Sequence, residues 1–156
     1  MHVLRRWYCQ TILAWAIAVA SAGVAAQGVF VVTEPWVRPG AARQSTAAFM
    51  QLLSSTGATL IAARSTLAAS VELRSATGKV ASPMALSLPA AEVVALQSQG
   101  DRLVLRSLAR GLKQGDRVPI MLIVRHSDSS IQQIAVDAEV RLHSPTDDHH
   151  LPHLHP

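Results

Sequence analysis

Cysteine is nearly absent. Cys9 is the single one in 156 residues, and it lies ahead of an apolar run near the N-terminus. The rest of the chain therefore offers no disulfide, no thiolate ligand and no thiol nucleophile. Aromatics are scarce as well. Beyond residue 26 only Phe30, Trp36 and Phe49 remain, so a core must be assembled from Val, Leu, Ile, Ala and Met. No run of Lys or Arg occurs, which argues against nucleic acid as a partner. No G-x-S-x-G context, phosphate loop or dinucleotide fingerprint is found either. Outside the C-terminal tail the one histidine past the leader is His126, which with Ser127 and Asp128 reads as a turn residue rather than a catalytic base. An enzyme is the least supported class.

What is present begins with a leader. Arg5 and Arg6 precede an uncharged apolar stretch from Thr11 to about Ala25, and Val24-Ala25-Ala26 before Gln27 meets the small-x-small rule of a signal peptidase. The stretch is short for a bilayer-spanning helix, which takes about 20 apolar residues. Residues 1–26 are thus expected to be a cleaved signal peptide, leaving a periplasmic protein with no membrane segment. Cys9 precedes the apolar run, so a lipoprotein cleavage site is not indicated. Removing Arg5 and Arg6 takes Lys plus Arg from 14 to 12 against 10 acids, an excess of only +2.

The remaining chain suits one domain. Short stretches that alternate apolar and polar residues recur: Val29–Val37, Ser70–Thr77, Glu92–Leu96, Arg102–Leu108, Arg117–His126 and Ile131–Leu142. Turn signals punctuate them at Pro39-Gly40, Thr56-Gly57, Thr77-Gly78, Gln99-Gly100-Asp101, Gly115-Asp116 and Ser127–Ser130. Regularly spaced strands of this kind predict an all-β sandwich or barrel over residues 27–142. Ser45–Leu53 and Ala58–Ala69 carry Ala and Leu that also support helix. The first is expected as a strand with Ala47, Phe49, Gln51 and Leu53 on one face. Residues 143–156 differ in kind: three prolines and His143, His149, His150, His153 and His155 mark a flexible His-rich tail.

Six pieces, in order along the chain, resemble the periplasmic copper chaperones called PCu(A)C. Glu34-Pro35-Trp36-Val37-Arg38 is similar to the family's P-W-A-R opening. Ala47-Ala48-Phe49-Met50-Gln51-Leu52 with Thr56-Gly57 is similar to A-A-Y-x-x-L…N-x-G, and Val71-Glu72-Leu73 to V-E-L-H. Leu88-Pro89-Ala90, Gly100–Leu108 and Leu112-Lys113-Gln114-Gly115-Asp116 resemble I-P-A, G-x-H-x-M-L-x-x-L and L-K-x-G-D. The resemblance implies a cupredoxin-like Greek-key β-sandwich that carries Cu(I) for assembly of the cytochrome oxidase copper centre. It implies as partner an oxidase copper-site subunit or another periplasmic copper carrier.

The family's copper ligands are a His after V-E-L, Met in the next hairpin and a His-x-Met pair on a later strand. Thioether sulfur with imidazole selects Cu(I), and residues two apart on a strand converge on one ion. In this chain those positions fall on Arg74, Arg102 and Val104, and the shortened hairpin holds only Met84. A guanidinium has no lone pair to give and repels a cation. The core site is therefore expected to be lost.

Three readings follow. In the first, the tail histidines bind metal, and without sulfur they favour Cu(II), Ni(II) or Zn(II). In the second, the domain is a degenerate, non-metal module that binds a periplasmic partner. In the third, Arg74, Arg102 and Arg106 form an anion site, against the plainer alternative that they pair with Glu72 or Asp101.

The leader generates the first test. Protein from the envelope fraction should begin near Gln27 by N-terminal sequencing; intact chain starting at Met1 in the membrane fraction would contradict it.

Overall fold

The computed structural model describes residues 28–145. The expected signal peptide, and His149, His150, His153 and His155 of the tail, lie outside the described residues. Nine strands occur among those described, and no helix: β1 (Phe30–Val37), β2 (Thr46–Ser54), β3 (Ala58–Arg64), β4 (Ala68–Arg74), β5 (Leu86–Leu88), β6 (Val93–Leu96), β7 (Arg102–Leu108), β8 (Arg117–His126) and β9 (Ile131–Val140).

The Ala-rich segments resolve as strands. Pairing on both edges and one buried face outweigh alanine's intrinsic helix preference, which tertiary context routinely overrides. On β2, Ala48, Met50 and Leu52 are buried in the core, while Ala47, Phe49, Gln51 and Leu53 share the outer face. The segment Ala58–Ala69 divides at a turn into β3 and the start of β4. Two expected strands are shorter at their C-terminal ends. β4 stops at Arg74, where Ser75 opens a turn closed by Ser75 N–H donating to the Lys79 carbonyl at 2.9 Å. β9 stops at Val140, beyond which Arg141 N–H donates to the Val37 carbonyl at 2.9 Å. The three-residue β5 escaped notice because no alternation is visible over so short a length.

The strands form one curled sheet in the order β4-β7-β2-β1-β9-β8-β3-β5, with β6 also paired to β2. It closes on itself, since β3 packs near β4 and β2 near β5. β1 is the hinge between the two halves. Phe30–Thr33 pair with Ser54–Gln51 of β2, then the register shifts before Trp36. Glu34 takes a positive φ of 50° at the irregularity, and Pro35, which has no N–H to give a ladder, sits beside it. Trp36 and Val37 then pair with β2 on one edge and run parallel to Glu139 and Val140 of β9 on the other.

The core is aliphatic, as the shortage of aromatics requires. Leu52, Leu60, Leu103, Leu105, Val118, Leu122, Val124 and Val140 have no exposed surface. The loop before β8 is clasped by Asp116, whose carboxylate accepts from Lys113 N–H and from Arg110, each at 2.9 Å. Those donors hold its pKa below the ordinary aspartate value. The clasp is therefore complete above the ordinary carboxylate range and is lost as pH falls through the lowered pKa.

Burial sets a contrast for mutagenesis. Leu105→Ala, at 0% exposure, should cost about 2–5 kcal/mol in urea denaturation. Val93→Ala, at 55% exposure, should stay within about 0.5 kcal/mol. A loss below about 1 kcal/mol at Leu105 would contradict the core assignment.

Candidate functional site

Strand alternation decides which side chains of β4 and β7 meet. Leu73, Leu103 and Leu105 turn into the core with at most 4% exposure. Glu72 and Arg74 of β4, and Arg102, Val104 and Arg106 of β7, turn outward. The antiparallel register places Arg74 opposite Arg102, Glu72 opposite Val104 and Ser70 opposite Arg106. On the other side of β7, Ala47 of β2 stands opposite Val104. The three positions that the resemblance assigns to copper ligands, Arg74, Arg102 and Val104, are thus brought together on one face.

That face is short of negative charge. Glu72 is shared by two arginines, at 3.5 Å from an Arg74 terminal nitrogen and 3.8 Å from Arg106 Nε. Both contacts are long, and the side chains involved are 29–43% exposed. Such pairs contribute little, on the order of 0–1 kcal/mol. Arg102 donates to the Gly100 carbonyl at 3.3 Å rather than to the side chain of Asp101. Arg74 Nε is buried with no hydrogen-bond partner among the described residues. Two arginines directly opposite each other repel, and Glu72 offsets only part of that.

Further along the face, Trp36 and Phe49 stack with ring centroids 4.6 Å apart, and the Arg38 guanidinium lies 5.3 Å from the Phe49 centroid. This aromatic pair stands apart from the aliphatic core. Sequence reading missed Arg38. The signal was available in Trp36-Val37-Arg38, since alternation puts Trp36 and Arg38 on one side, with Val37 buried in the core between them.

Other sequence candidates fall elsewhere. Met84 is half-buried and packs against the hydrophobic core. His143 is exposed just past β9 and lines a shallow cavity with Gln114, Glu139, Arg141 and Leu142. His126 Nε2 is 2.7 Å from Gln132 Oε1, and the His126 backbone N–H donates to the Ser130 carbonyl at 2.9 Å. Asp128 accepts from Ser130 N–H and Oγ, at 2.9 and 2.6 Å, and these bonds lower its pKa. His126 and Asp128 accordingly close the β8–β9 hairpin. Among the described residues, no group of three or more His, Cys, Asp or Glu side chains is placed to hold a metal ion.

With this geometry in view, the chain can be set beside known proteins. The profile of the family described as "Putative lipoprotein LpqE-like" matches residues 30–144. The Cu(I)-bound solution structure of DR1885 from Deinococcus radiodurans shares 29% identity with the chain. That match covers 78% of this chain and 85% of DR1885, with a TM-score of 0.56. The copper-bound PCuAC domain of PmoF2 is 19% identical, covers 72% of this chain and 92% of its own, and has a TM-score of 0.59. The apo PCuAC domain of PmoF1 is 17% identical over the same shares, with a TM-score of 0.61. No curated protein matches the chain. The fold is that of PCuAC domains, a cupredoxin-like β fold, as the resemblance implied, and it is all-β, as the strand pattern predicted.

Proposed function

The chain belongs to the LpqE-like family, and from that premise we propose that it is an exported copper-handling protein whose metal ligands have moved from the sandwich to the C-terminal tail. The observation that carries this reading is a PCuAC fold in which Arg74 stands directly opposite Arg102, where the resemblance expects ligands. A copper carrier with that fold and without those ligands needs another donor set. His143, His149, His150, His153 and His155 supply five imidazoles within 13 residues.

The donor chemistry sets the metal. Imidazole without sulfur suits Cu(II), with Ni(II) and Zn(II) as competitors, and does not favour Cu(I). Met84 packs against the core, and a lone thioether does not make a Cu(I) site. The compartment proposed is the periplasm. The leader read from the sequence and the word lipoprotein in the family description both support export. The partner proposed is an oxidase copper-site subunit or another periplasmic copper carrier. The role is that of a carrier rather than of an enzyme. A non-metal partner-binding module is the second reading, favoured by the same loss of ligands on the sheet.

The test compares the mature chain with a variant in which the five tail histidines are alanine. Each is titrated with Cu(II), and with Cu(I) under a competing chelator. The mature chain should bind Cu(II), and the variant should lose at least about tenfold in affinity. Binding should weaken as pH falls through about 6.5, because imidazole must be neutral to ligate. Tight stoichiometric Cu(I) binding by the variant would overturn the proposal by revealing ligands in the sandwich. If the mature chain binds no better than an ordinary histidine tag, the carrier reading falls and the partner-binding module replaces it.

A further inference from the structure

Val104 sits between two arginines of its own strand, with Glu72 of β4 opposite it on one edge. Along β7 it is flanked by Arg102 and Arg106, each two residues away on the same face and so about 6.6 Å distant along the strand. Across β7 it faces Ala47, and beyond Ala47 lies Arg38, whose N–H donates to the Ala47 carbonyl at 3.0 Å. Val104 and Ala47 are short side chains among long ones. A shallow depression of about 330 Å³ opens over them, lined by Arg38, Pro39, Ser45, Thr46, Ala47 and Val104.

The charge around this depression is unbalanced. Arg38 lines it, Arg102 and Arg106 flank Val104 on β7, and Glu72 of β4, opposite Val104, is the acid ion-paired to Arg74 and Arg106 among the described residues. Arg38 spends its guanidinium on the Phe49 ring, and Arg102 on a backbone carbonyl, so neither has a carboxylate partner among the described ion pairs. We propose that the depression over Val104 and Ala47 binds a phosphate group, held by Arg38 on one side and by Arg102 and Arg106 on the other.

The geometry favours phosphate over a carboxylate. A carboxylate is planar, with two oxygens, and is satisfied by one bidentate guanidinium. Donors approaching from three directions suit a tetrahedral group with three or four acceptor oxygens. Of the four positive charges of Arg38, Arg74, Arg102 and Arg106, Glu72 offsets one, and a phosphate dianion offsets two of the remaining three. The exposed Ser45 hydroxyl at the rim adds a neutral donor. The phosphate group can belong to a free anion or to a lipid headgroup, and the recognition chemistry is the same for both.

The test uses the whole mature chain. Inorganic phosphate is titrated while backbone amide shifts of β2 and β7 are followed by NMR, with chloride and acetate at matched ionic strength as controls. Phosphate should shift Ala47 and Val104 saturably, and the controls should not. Arg102→Gln and Arg38→Gln should each weaken binding about tenfold, the loss expected for one charge-assisted hydrogen bond. Arg125→Gln, on exposed β8 surface, should leave it unchanged. Because the two test substitutions lie on different segments, one that unfolds the protein leaves the other informative. In a parallel arm, sedimentation with phosphatidylglycerol vesicles identifies the source. Vesicle binding lost in Arg102→Gln marks a headgroup, and phosphate binding without vesicle binding marks a free anion. Phosphate shifts no different from those with chloride, or equal affinity in Arg102→Gln and the parent chain, would overturn the proposal.

Discussion

Strict alternation along β7 is the constraint on which the rest depends. Leu103 and Leu105 are wholly buried and fix the strand's inward face. Arg102, Val104 and Arg106 must then face outward together, because a strand's side-chain period is two and a one-residue slip would exchange the faces. The buried leucines thus make the arginine cluster unavoidable. The antiparallel partners complete it: β4 brings Arg74 and Glu72 against β7, and β2 brings Ala47. The face where the resemblance expects copper ligands carries Arg74, Arg102 and Val104 in this chain.

The electrostatic consequences follow from which groups are shared. Glu72 serves two arginines at long range, while better-formed ion pairs lie away from this face. Arg110 meets Asp116 at 2.9 Å and Arg141 meets Glu139 at 2.9 Å. Those two pairs fasten a loop and a strand end. The β4–β7 face, by contrast, keeps a surplus of guanidinium around a floor of short side chains. Folding alone gives no reason for such an arrangement, since like charges opposite one another on a sheet cost stability. A fold that tolerates the cost at one face is typical of surfaces that receive a ligand.

Much of this was legible in the residues. β7 and β8 fall on the stretches Arg102–Leu108 and Arg117–His126 that alternation marks, and the turns lie at the Gly- and Ser-rich punctuation. The clustering of Arg74, Arg102 and Val104 followed from counting along the motifs that the chain resembles. What stayed hidden had physical causes. The strand nature of Ala58–Arg64 depends on pairing with β5 and β8, which no local pattern encodes. β5 is too short to show a period. Alternation puts Arg38 on the side of Trp36, but that this side continues the β7 face depends on β2 lying between β1 and β7, a long-range fact of topology. Met84 reads as a donor by composition, and it packs, partly buried, against the core.

On the proposed reading, fold and metal chemistry have parted in this chain: the sandwich is kept, and the metal ligands are the imidazoles of the tail. X-ray absorption at the copper edge of the copper-loaded mature protein tests that separation most directly, because sulfur and nitrogen scatter distinguishably in the first coordination shell. The account predicts a shell of nitrogen and oxygen with the multiple-scattering pattern of imidazole. A sulfur scatterer bonded to copper would contradict it, since in a mature chain beginning near Gln27 only a methionine of the sandwich supplies that atom.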